Sequence, residues 1–163
     1  MSAVNNQNSL VRPIVIGGLI LGTLRLIDTL LFAWFTTQTP PIVVAQFLAS
    51  GALGVAAFAG GPVIALLGVI IHYGVSFVVA AVFILSASRL PVLRRNAILG
   101  GLLYGVAVYL VMNFIVLPLS AAPPLEYSLP ILIYGIILTA LEIGLPLGII
   151  VQRNANAPVT VTA

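Results

Sequence analysis

Residues 14–35 form an apolar stretch that carries two charged side chains, Arg25 and Asp28, near its middle. A helix needs about 20 apolar residues to cross a hydrocarbon core about 30 Å thick, so this stretch is long enough to span a bilayer. An ionised side chain in that core costs about 2.5–3.5 kcal/mol on insertion scales. The two charges therefore need partners elsewhere in the fold, and finding those partners is the main question that the sequence raises.

The composition of the whole chain indicates a membrane protein. Of its 163 residues, 61% are hydrophobic and 6% are charged, whereas soluble domains carry about 25% charged residues. We expect a single transmembrane domain over residues 1–163, with the lipid bilayer as its main partner. The absence of cysteine excludes disulfides and thiol chemistry, and six scattered arginines form no nucleic-acid patch. No phosphate loop, HExxH motif or GxSxG motif occurs, so we expect no enzyme, no catalytic residue and no metal site.

Four stretches are clear candidates for membrane-spanning helices: 14–35, 63–86, 97–117 and 129–151. A fifth stretch, 42–59, is ambiguous. It is long enough for a marginal span, but it is also rich enough in small residues to lie at the membrane surface or to re-enter the membrane. The sequence therefore predicts an all-α bundle of four spans plus an outer-face helix, interfacial or re-entrant, at 42–59. Residues 1–12 and 154–163 are expected to be flexible tails.

The distribution of arginine decides between these two topologies. If 42–59 does not cross, all five arginines outside the spans lie on one side, and the opposite loops hold only Glu126. Cytoplasmic loops carry an excess of positive charge, so this arrangement predicts that both termini are cytoplasmic. The residues that set the topology are Arg12, Arg89, Arg94, Arg95 and Arg153.

Small residues recur at steps of three or four along the predicted helices. Such spacing lets helix backbones approach closely, which is how membrane helices gain van der Waals contact. The residues that we expect at these close contacts are Gly18, Gly22, Ala49, Gly54, Gly101, Gly105 and Gly135.

Polar residues concentrate at one depth of the predicted membrane. Arg25, Asp28, His72 and Glu142 fall in its middle third, and Asn113 falls somewhat further out. At about 100° per residue, Arg25 and Glu142 each lie on the small-residue face of their own helix, which is the face that packs against neighbours. We therefore predict Glu142 as the partner of Arg25, with Asp28 as the competing partner.

Three interpretations of this polar cluster stay open. The cluster is a structural pin in which Arg25 neutralises one carboxylate while the other acid is protonated or hydrogen-bonded. Alternatively, it is a pathway or binding site for a proton, an ion or a small polar molecule, or it contacts a partner subunit or cofactor. Pro146 frees the carbonyl of Glu142 from its helical hydrogen bond, so we also expect a kink in the last helix.

His72 has two interpretations of its own. An imidazole in a membrane helix forms an interhelical hydrogen bond, to Glu142 or Asn113 for example, or it ligates the metal of a pigment. Bis-histidine haem would need a second histidine, which the chain lacks. The five tyrosines, at positions 73, 104, 109, 127 and 134, are expected to anchor the interface and fill packing space.

Two stretches, 46–72 and 101–121, resemble a group of small, uncharacterised bacterial inner-membrane proteins with four spans. The resemblance implies a bacterial inner-membrane location and draws attention to His72 and Asn113, but it implies no mechanism. The residues that carry it are Ala49-Ser50-Gly51-x-x-Gly54, Ala57-Phe58-x-Gly60-Gly61, Ala65-x-x-Gly68-x-x-x-His72, Gly101-Leu102-Leu103-Tyr104-Gly105, Val108-Tyr109, Met112-Asn113 and Leu117-Pro118-Leu119-Ser120-Ala121.

Three functional hypotheses follow. The first is a non-enzymatic inner-membrane protein whose midplane cluster binds or relays a proton or a small polar species. The second is a structural or accessory subunit of a larger complex, or a homo-oligomer, that docks through its small-residue faces. The third is a pigment-binding protein in which His72 ligates the metal of the pigment. Apart from that pigment, we expect no cofactor. The sequence does not identify a substrate, a partner or an oligomeric state.

Overall fold

The structure is a computed structural model that describes residues 2–124 and 128–155. The described residues are almost entirely helical and contain no strand, which confirms the all-α prediction. The helices are α1 (Ser2–Thr37), α2 (Pro41–Leu53), α3 (Gly61–Arg89), α4 (Pro91–Arg95), α5 (Ala97–Leu119) and α6 (Leu129–Asn154), and a 3-10 helix, Gly54–Ala59, follows α2. Two of them contain π-helical turns, Met112–Val116 in α5 and Ala140–Gly144 in α6.

Within the described ranges, five segments are long and apolar enough to cross a membrane. They are the part of α1 from Leu10 onward, Pro41–Ala59, α3, α5 and α6. The bounds differ from the sequence prediction mainly at α1, which begins at Ser2 rather than at residue 14. The predicted acidic residue of the outer loops, Glu126, and one of the five tyrosines, Tyr127, lie outside the described residues, as does most of the predicted C-terminal tail.

Contacts at glycines show how α1 lies against α3. Gly17 of α1 packs against Ile84 of α3, and Gly22 packs against Tyr73. Residue numbers rise along α1 as they fall along α3, so the two helices are antiparallel. By the same reasoning α6 is antiparallel to α1, because Gly17 also contacts Leu147 and Arg25 contacts the earlier residue Glu142.

Helices α5 and α6 are antiparallel and in direct backbone contact. Gly101 faces the Gly144 backbone, and four residues later Gly105 faces the Ala140 backbone. The four long helices α1, α3, α5 and α6 therefore alternate in direction. The start of α1, the end of α3, the start of α5 and the end of α6 share one end of this bundle, which we name the arginine end because it holds Arg12, Arg89, Arg94, Arg95 and Arg153. We name the opposite end the loop end.

The segment Pro41–Ala59 begins and ends at the loop end, because α1 finishes there and α3 starts there. The carbonyl of Ala45 and the amide of Ala49 lie against the backbone of Gly68 in α3. At the other face of α2, the Ala121 amide donates a hydrogen bond to the Gly51 carbonyl over 3.1 Å. Helix α2 thus lies between the first turns of α3 and the residues that follow α5.

A glycine with a positive φ angle ends α2. Gly54 has φ 64° and ψ −157°, a backbone conformation that is essentially restricted to glycine. The chain changes direction there and continues as the 3-10 helix, whose last residue leads directly to Gly60 and α3. This turn shortens α2 to 13 residues, or about 20 Å of helix at 1.5 Å per residue. That length is less than the hydrocarbon thickness of a typical bilayer, about 30 Å.

The apolar core of the bundle lies towards the arginine end. Its fully buried members include Phe83 and Leu147, with Ala87, Ala97 and Val151 close to the ends of their helices. Large apolar side chains also cover the outside: Leu119 is 83% exposed and Val63 is 75% exposed. Apolar exteriors on helices of this length are typical of a multi-pass membrane protein.

Candidate functional site

Three charged side chains form the centre of the site. The Arg25 Nη1 atom lies 3.2 Å from Glu142 Oε2 and 3.4 Å from Asp28 Oδ2, so both carboxylates that the sequence nominated as partners contact the same nitrogen. The side chains are 28% exposed for Arg25, 16% for Asp28 and 15% for Glu142. We name these three residues the charge triad. It joins α1 to α6 and contains one positive charge for two carboxylates.

Tyr134 extends the charge triad towards the loop end. Its hydroxyl donates a hydrogen bond of 3.1 Å to Asp28 Oδ1, the oxygen that does not contact Arg25. Its ring also stacks on Phe32, with ring centroids 5.3 Å apart. From its position in the sequence, Tyr134 was expected only to anchor the interface and fill packing space. The spacing along the chain gave no sign of this contact, because Asp28 and Tyr134 are 106 residues apart.

Glu142 belongs to a π-helical turn. The turn Ala140–Gly144 ends two residues before Pro146, whose missing amide hydrogen removes one of the regular helical hydrogen bonds. The structure places this π turn where the sequence predicted a proline kink. A π turn adds a residue to one turn of helix and is frequent at functional sites, because it redirects the side chains it contains.

The second π turn repeats this arrangement in α5. Met112–Val116 contains Asn113 and is followed by Leu117 and Pro118. Both turns are thus followed immediately by the tripeptide Leu-Pro-Leu, at 117–119 and at 145–147. This repeated tripeptide, which begins four residues after Asn113 and three residues after Glu142, is a sequence signal for the two π turns. The Asn113 side chain donates to the Tyr109 carbonyl over 2.9 Å.

His72 contacts α1 instead of the charge triad. Its Nε2 lies 2.9 Å from the carbonyl oxygen of Gly22, and since a carbonyl only accepts, Nε2 carries the hydrogen. Ser76, one turn further along α3, donates to the His72 carbonyl. Nε2 is therefore engaged in holding α3 to α1, which leaves Nδ1 as the imidazole nitrogen that could ligate a metal. Among the described residues, no group of three histidine or acidic side chains could hold a metal ion.

A cavity of about 320 Å³ lies between α1, α3, α5 and α6 on the loop-end side of the core. Arg25 and His72 form part of its wall, together with Asn113 and the hydroxyl-bearing Thr139. Helix α2 closes one side through Phe47 and Leu48. Asp28 and Glu142 are not among the lining residues. The cavity therefore borders the guanidinium-bearing residue of the charge triad, Arg25, and not its two acidic residues.

Thr139 is the least satisfied polar residue that lines the cavity. It is 2% exposed, and its hydroxyl oxygen has no hydrogen-bond partner among the described residues. Thr29, which also lines the cavity, differs in this respect, because its hydroxyl donates to the Arg25 carbonyl over 2.7 Å. Buried hydroxyls nearly always have a partner, so Thr139 marks a place where a partner is missing.

The small residues that the sequence nominated for close packing contact other parts of the same chain. A Cβ atom on Gly18 would collide with the ring of Phe77, and one on Gly22 would lie 2.6 Å from the ring of Tyr73. Gly101 and Gly105 face the α6 backbone, Gly135 faces the Tyr109 ring, and Ala49 is fully buried against Gly68. Gly54 has a different role, because its positive φ angle serves the turn after α2. The faces that the accessory-subunit hypothesis assigned to docking are thus occupied within the chain.

The fold and the site together define a class of protein: an all-helical, multi-pass membrane protein with a buried ionic cluster beside an internal cavity. No protein-family model, curated protein or solved structure matches the chain.

Proposed function

We propose that this protein is a bacterial inner-membrane protein with four membrane-crossing helices, α1, α3, α5 and α6, and with α2 re-entering from the outer face. The support comes from two observations. The segment Pro41–Ala59 starts and ends at the same end of the bundle, and its longest α-helix is about 20 Å, shorter than the hydrocarbon core. The five arginines at the opposite end support the proposal that both termini are cytoplasmic, because cytoplasmic loops carry an excess of positive charge.

Cysteine labelling tests this topology, because the chain has no cysteine of its own. Single cysteines are introduced as Thr39→Cys, Ala59→Cys and Ser88→Cys and are labelled with a membrane-impermeant maleimide in intact cells. The proposal predicts labelling at positions 39 and 59, before and after the re-entrant segment, and no labelling at position 88. Labelling at 39 and 88 without labelling at 59 would show instead that Pro41–Ala59 crosses the membrane.

We further propose that the charge triad binds and relays a proton or a small polar species across the membrane midplane. The observation that carries this proposal is the contact of one guanidinium nitrogen with two carboxylates, at 3.2 and 3.4 Å, in a largely buried site. One cation neutralises one carboxylate, so with both acids ionised the triad has a net charge of −1. An uncompensated charge inside a membrane protein is costly, so the uptake of one proton or one cationic group is favourable.

The surroundings of the charge triad suit an exchange of protons. Tyr134 bonds Asp28 on the loop-end side and is 43% exposed, so it connects the triad towards that end of the bundle. On the other side, His72 bonds the carbonyl of Gly22, which lies closer to the arginine end of α1 than Arg25 does, and both His72 and Arg25 line the cavity. A proton relay needs titratable groups on both sides of its central site, and this arrangement supplies them. Catalysis of a covalent reaction is not part of the proposal.

Proton flux into liposomes tests the relay. The purified protein is reconstituted with a pH-sensitive dye inside the vesicles, and a pH gradient is applied with a potassium-valinomycin clamp. We expect the wild type to dissipate the gradient faster than protein-free vesicles and Glu142→Gln to abolish the difference. The matched control is Glu126→Gln, which removes the one acidic residue of the chain outside the triad and should conduct like the wild type. Equal flux in wild-type and Glu142→Gln vesicles would refute the relay.

A further inference from the structure

We propose that the contact between α2 and the residues that follow the π turn of α5 is a gate, which opens to let water and small polar solutes from the loop end enter the cavity beside the charge triad. We name it the gate contact. Gly51 and Gly54 lie on one side of it, and Ser120 and Ala121 lie on the other. The inference rests on the proposed function in one respect, because it adds the control of access to that same site.

The gate contact lies about one helical turn from residues that line the cavity. Phe47 and Leu48 of α2 are lining residues, and Gly51 follows Leu48 after three positions. Leu117 of α5 also lines the cavity, and Ser120 follows it after three positions, towards the loop end. The two elements that form this part of the cavity wall therefore meet at the gate contact. When they separate there, the wall opens towards the loop end.

Helix α2 is packed more loosely at the gate contact than on its opposite face. A Cβ atom on Gly51 would lie 4.0 Å from the Cβ atom of Ser120, which is an ordinary van der Waals distance. The Ala121 amide donates to the Gly51 carbonyl over 3.1 Å, in the last turn of α2, where water can take the place of the amide. On the opposite face, the Ala45 carbonyl leaves no room for a Cβ atom on Gly68. We therefore expect α2 to stay with α3 when the gate contact opens.

The π turn of α5 is the hinge for this movement. Helices bend at π turns and at prolines, because both interrupt the regular hydrogen bonds of the helix. Met112–Val116 is followed at once by Leu117 and Pro118, and the proline supplies no amide hydrogen to the preceding turn. Residues 117–121 are therefore joined to the rest of α5 through a weakened stretch of helix. Since Met112 lines the cavity, a bend at the π turn moves the cavity wall and the gate contact together.

The gate contact controls the cavity side of the charge triad. Arg25 and His72 line the cavity, whereas the lining residues nearest to the gate contact, Phe47, Leu48 and Leu117, are apolar. With the gate contact closed, these apolar side chains keep water from the loop end away from the guanidinium and the imidazole. With it open, water reaches both groups, and protons can enter the relay from the cavity side.

A disulfide across the gate contact tests the proposal. The Cβ distance of 4.0 Å between positions 51 and 120 lies within the range of about 3.5–4.5 Å that disulfides need, and the chain has no cysteine of its own. In the variant Gly51→Cys, Ser120→Cys, Ser76→Cys, the third thiol replaces a cavity-lining hydroxyl that is 7% exposed. The full-length protein in nanodiscs is treated with 2-hydroxyethyl methanethiosulfonate, and modification of position 76 is followed by mass spectrometry. A thiol reacts as its thiolate, which forms in contact with water, so the rate reports wetting of the cavity.

We expect position 76 to react about tenfold or more slowly in the oxidised, crosslinked protein than in the reduced protein, because the crosslink prevents the local opening. The control Gly51→Cys, Ser76→Cys lacks the second half of the crosslink and should react equally after either treatment. A second variant, Ala121→Pro with Ser76→Cys, removes the amide that bonds Gly51. The residue before it, Ser120, is already extended at ψ 172°, as a following proline requires. We expect this variant to react about two- to tenfold faster than Ser76→Cys alone, the range for the loss of one hydrogen bond.

Three outcomes would overturn the gate: equal rates at position 76 with and without the crosslink, no reaction in either state, or no gain in rate from Ala121→Pro in a folded protein. If Ala121→Pro does not fold, the crosslink comparison decides alone, because one folded protein is measured in both states. These measurements use no pH gradient. Access that depends on the crosslink in a protein without proton flux would contradict the relay alone, and proton flux with access that ignores the crosslink would contradict this inference alone.

Discussion

Replacement of Arg25 by methionine tests whether the charge triad holds α1 to α6. Methionine keeps much of the apolar stem of the side chain but removes the cation that Asp28 and Glu142 share. The two carboxylates are then left at 16% and 15% exposure without a counter-charge. Removing one partner of a buried ion pair costs about 3–5 kcal/mol of folding free energy. Because two carboxylates lose their partner here, we expect a loss in the upper part of that range.

The same reasoning predicts that neutral substitutions restore stability. In the triple variant Arg25→Met, Asp28→Asn, Glu142→Gln, no uncompensated charge is left in the site. Replacing a whole buried ionic group by neutral side chains of similar volume is often close to neutral. We therefore expect the triple variant to recover most of the loss, ending within about 1–2 kcal/mol of the wild type. Arg12→Met serves as the control, since Arg12 lies on the same helix but is exposed at the arginine end.

The measurement is the free energy of unfolding in mixed micelles, with sodium dodecyl sulfate added as denaturant to a mild detergent. The fluorescence of Trp34, the only tryptophan of the chain, reports unfolding of α1. If Arg25→Met and Arg12→Met lose the same amount of stability, the charge triad makes no specific contribution to the free energy of unfolding. If the triple variant is as unstable as Arg25→Met, the loss comes from the packing of the arginine stem and the electrostatic argument is refuted.

Two further predictions concern backbone geometry, and both are checked by thermal unfolding in detergent. Gly101→Leu should cost about 3 kcal/mol or more, because its Cβ would collide with the Gly144 carbonyl and the two helix backbones would have to separate. The control Gly74→Leu should change stability little, because beyond the adjacent backbone of its own helix no atom of the described residues lies within 4 Å of its Cβ position. An equal loss in both variants would refute the packing argument. Gly54→Ala should cost about 1–3 kcal/mol of stability because alanine is strained at φ 64°. The control Gly51→Ala, within α2, should change stability little. If Gly54→Ala also leaves stability unchanged, the turn after α2 does not depend on glycine.

The hydropathy of the sequence was sufficient to predict the helices. Backbone amides and carbonyls have no water to bond in the hydrocarbon core, so a long apolar run there must be helical. For this reason the stretches 63–86, 97–117 and 129–151 fall within α3, α5 and α6 with small differences at their ends. The end of α2 was harder to predict. Its boundary at Leu53 depends on the φ angle of Gly54, and nothing in the surrounding apolar run distinguishes that glycine from Gly51.

The sequence predicted the depth of the candidate site but not all of its contacts. Depth along a helix follows from residue number, so Arg25 and Glu142 could be assigned to the same level of the bundle. Which atoms meet at that level depends on the rotation of each helix, and the π turn at Ala140–Gly144 shifts that rotation by one residue. Tyr134 bonds Asp28, and His72 bonds a backbone carbonyl instead of another polar side chain. Neither contact follows from spacing.

The sequence by itself therefore determined that this chain is a helical membrane protein with charges buried near the middle of its spans, because burial of the peptide backbone in lipid leaves few alternatives. Only the tertiary structure decided that one nitrogen of Arg25 contacts both carboxylates and that a cavity lies beside it. Those features arise where four helices and α2 meet, and the space left between packed helices is a property of their relative positions, which no single helix encodes.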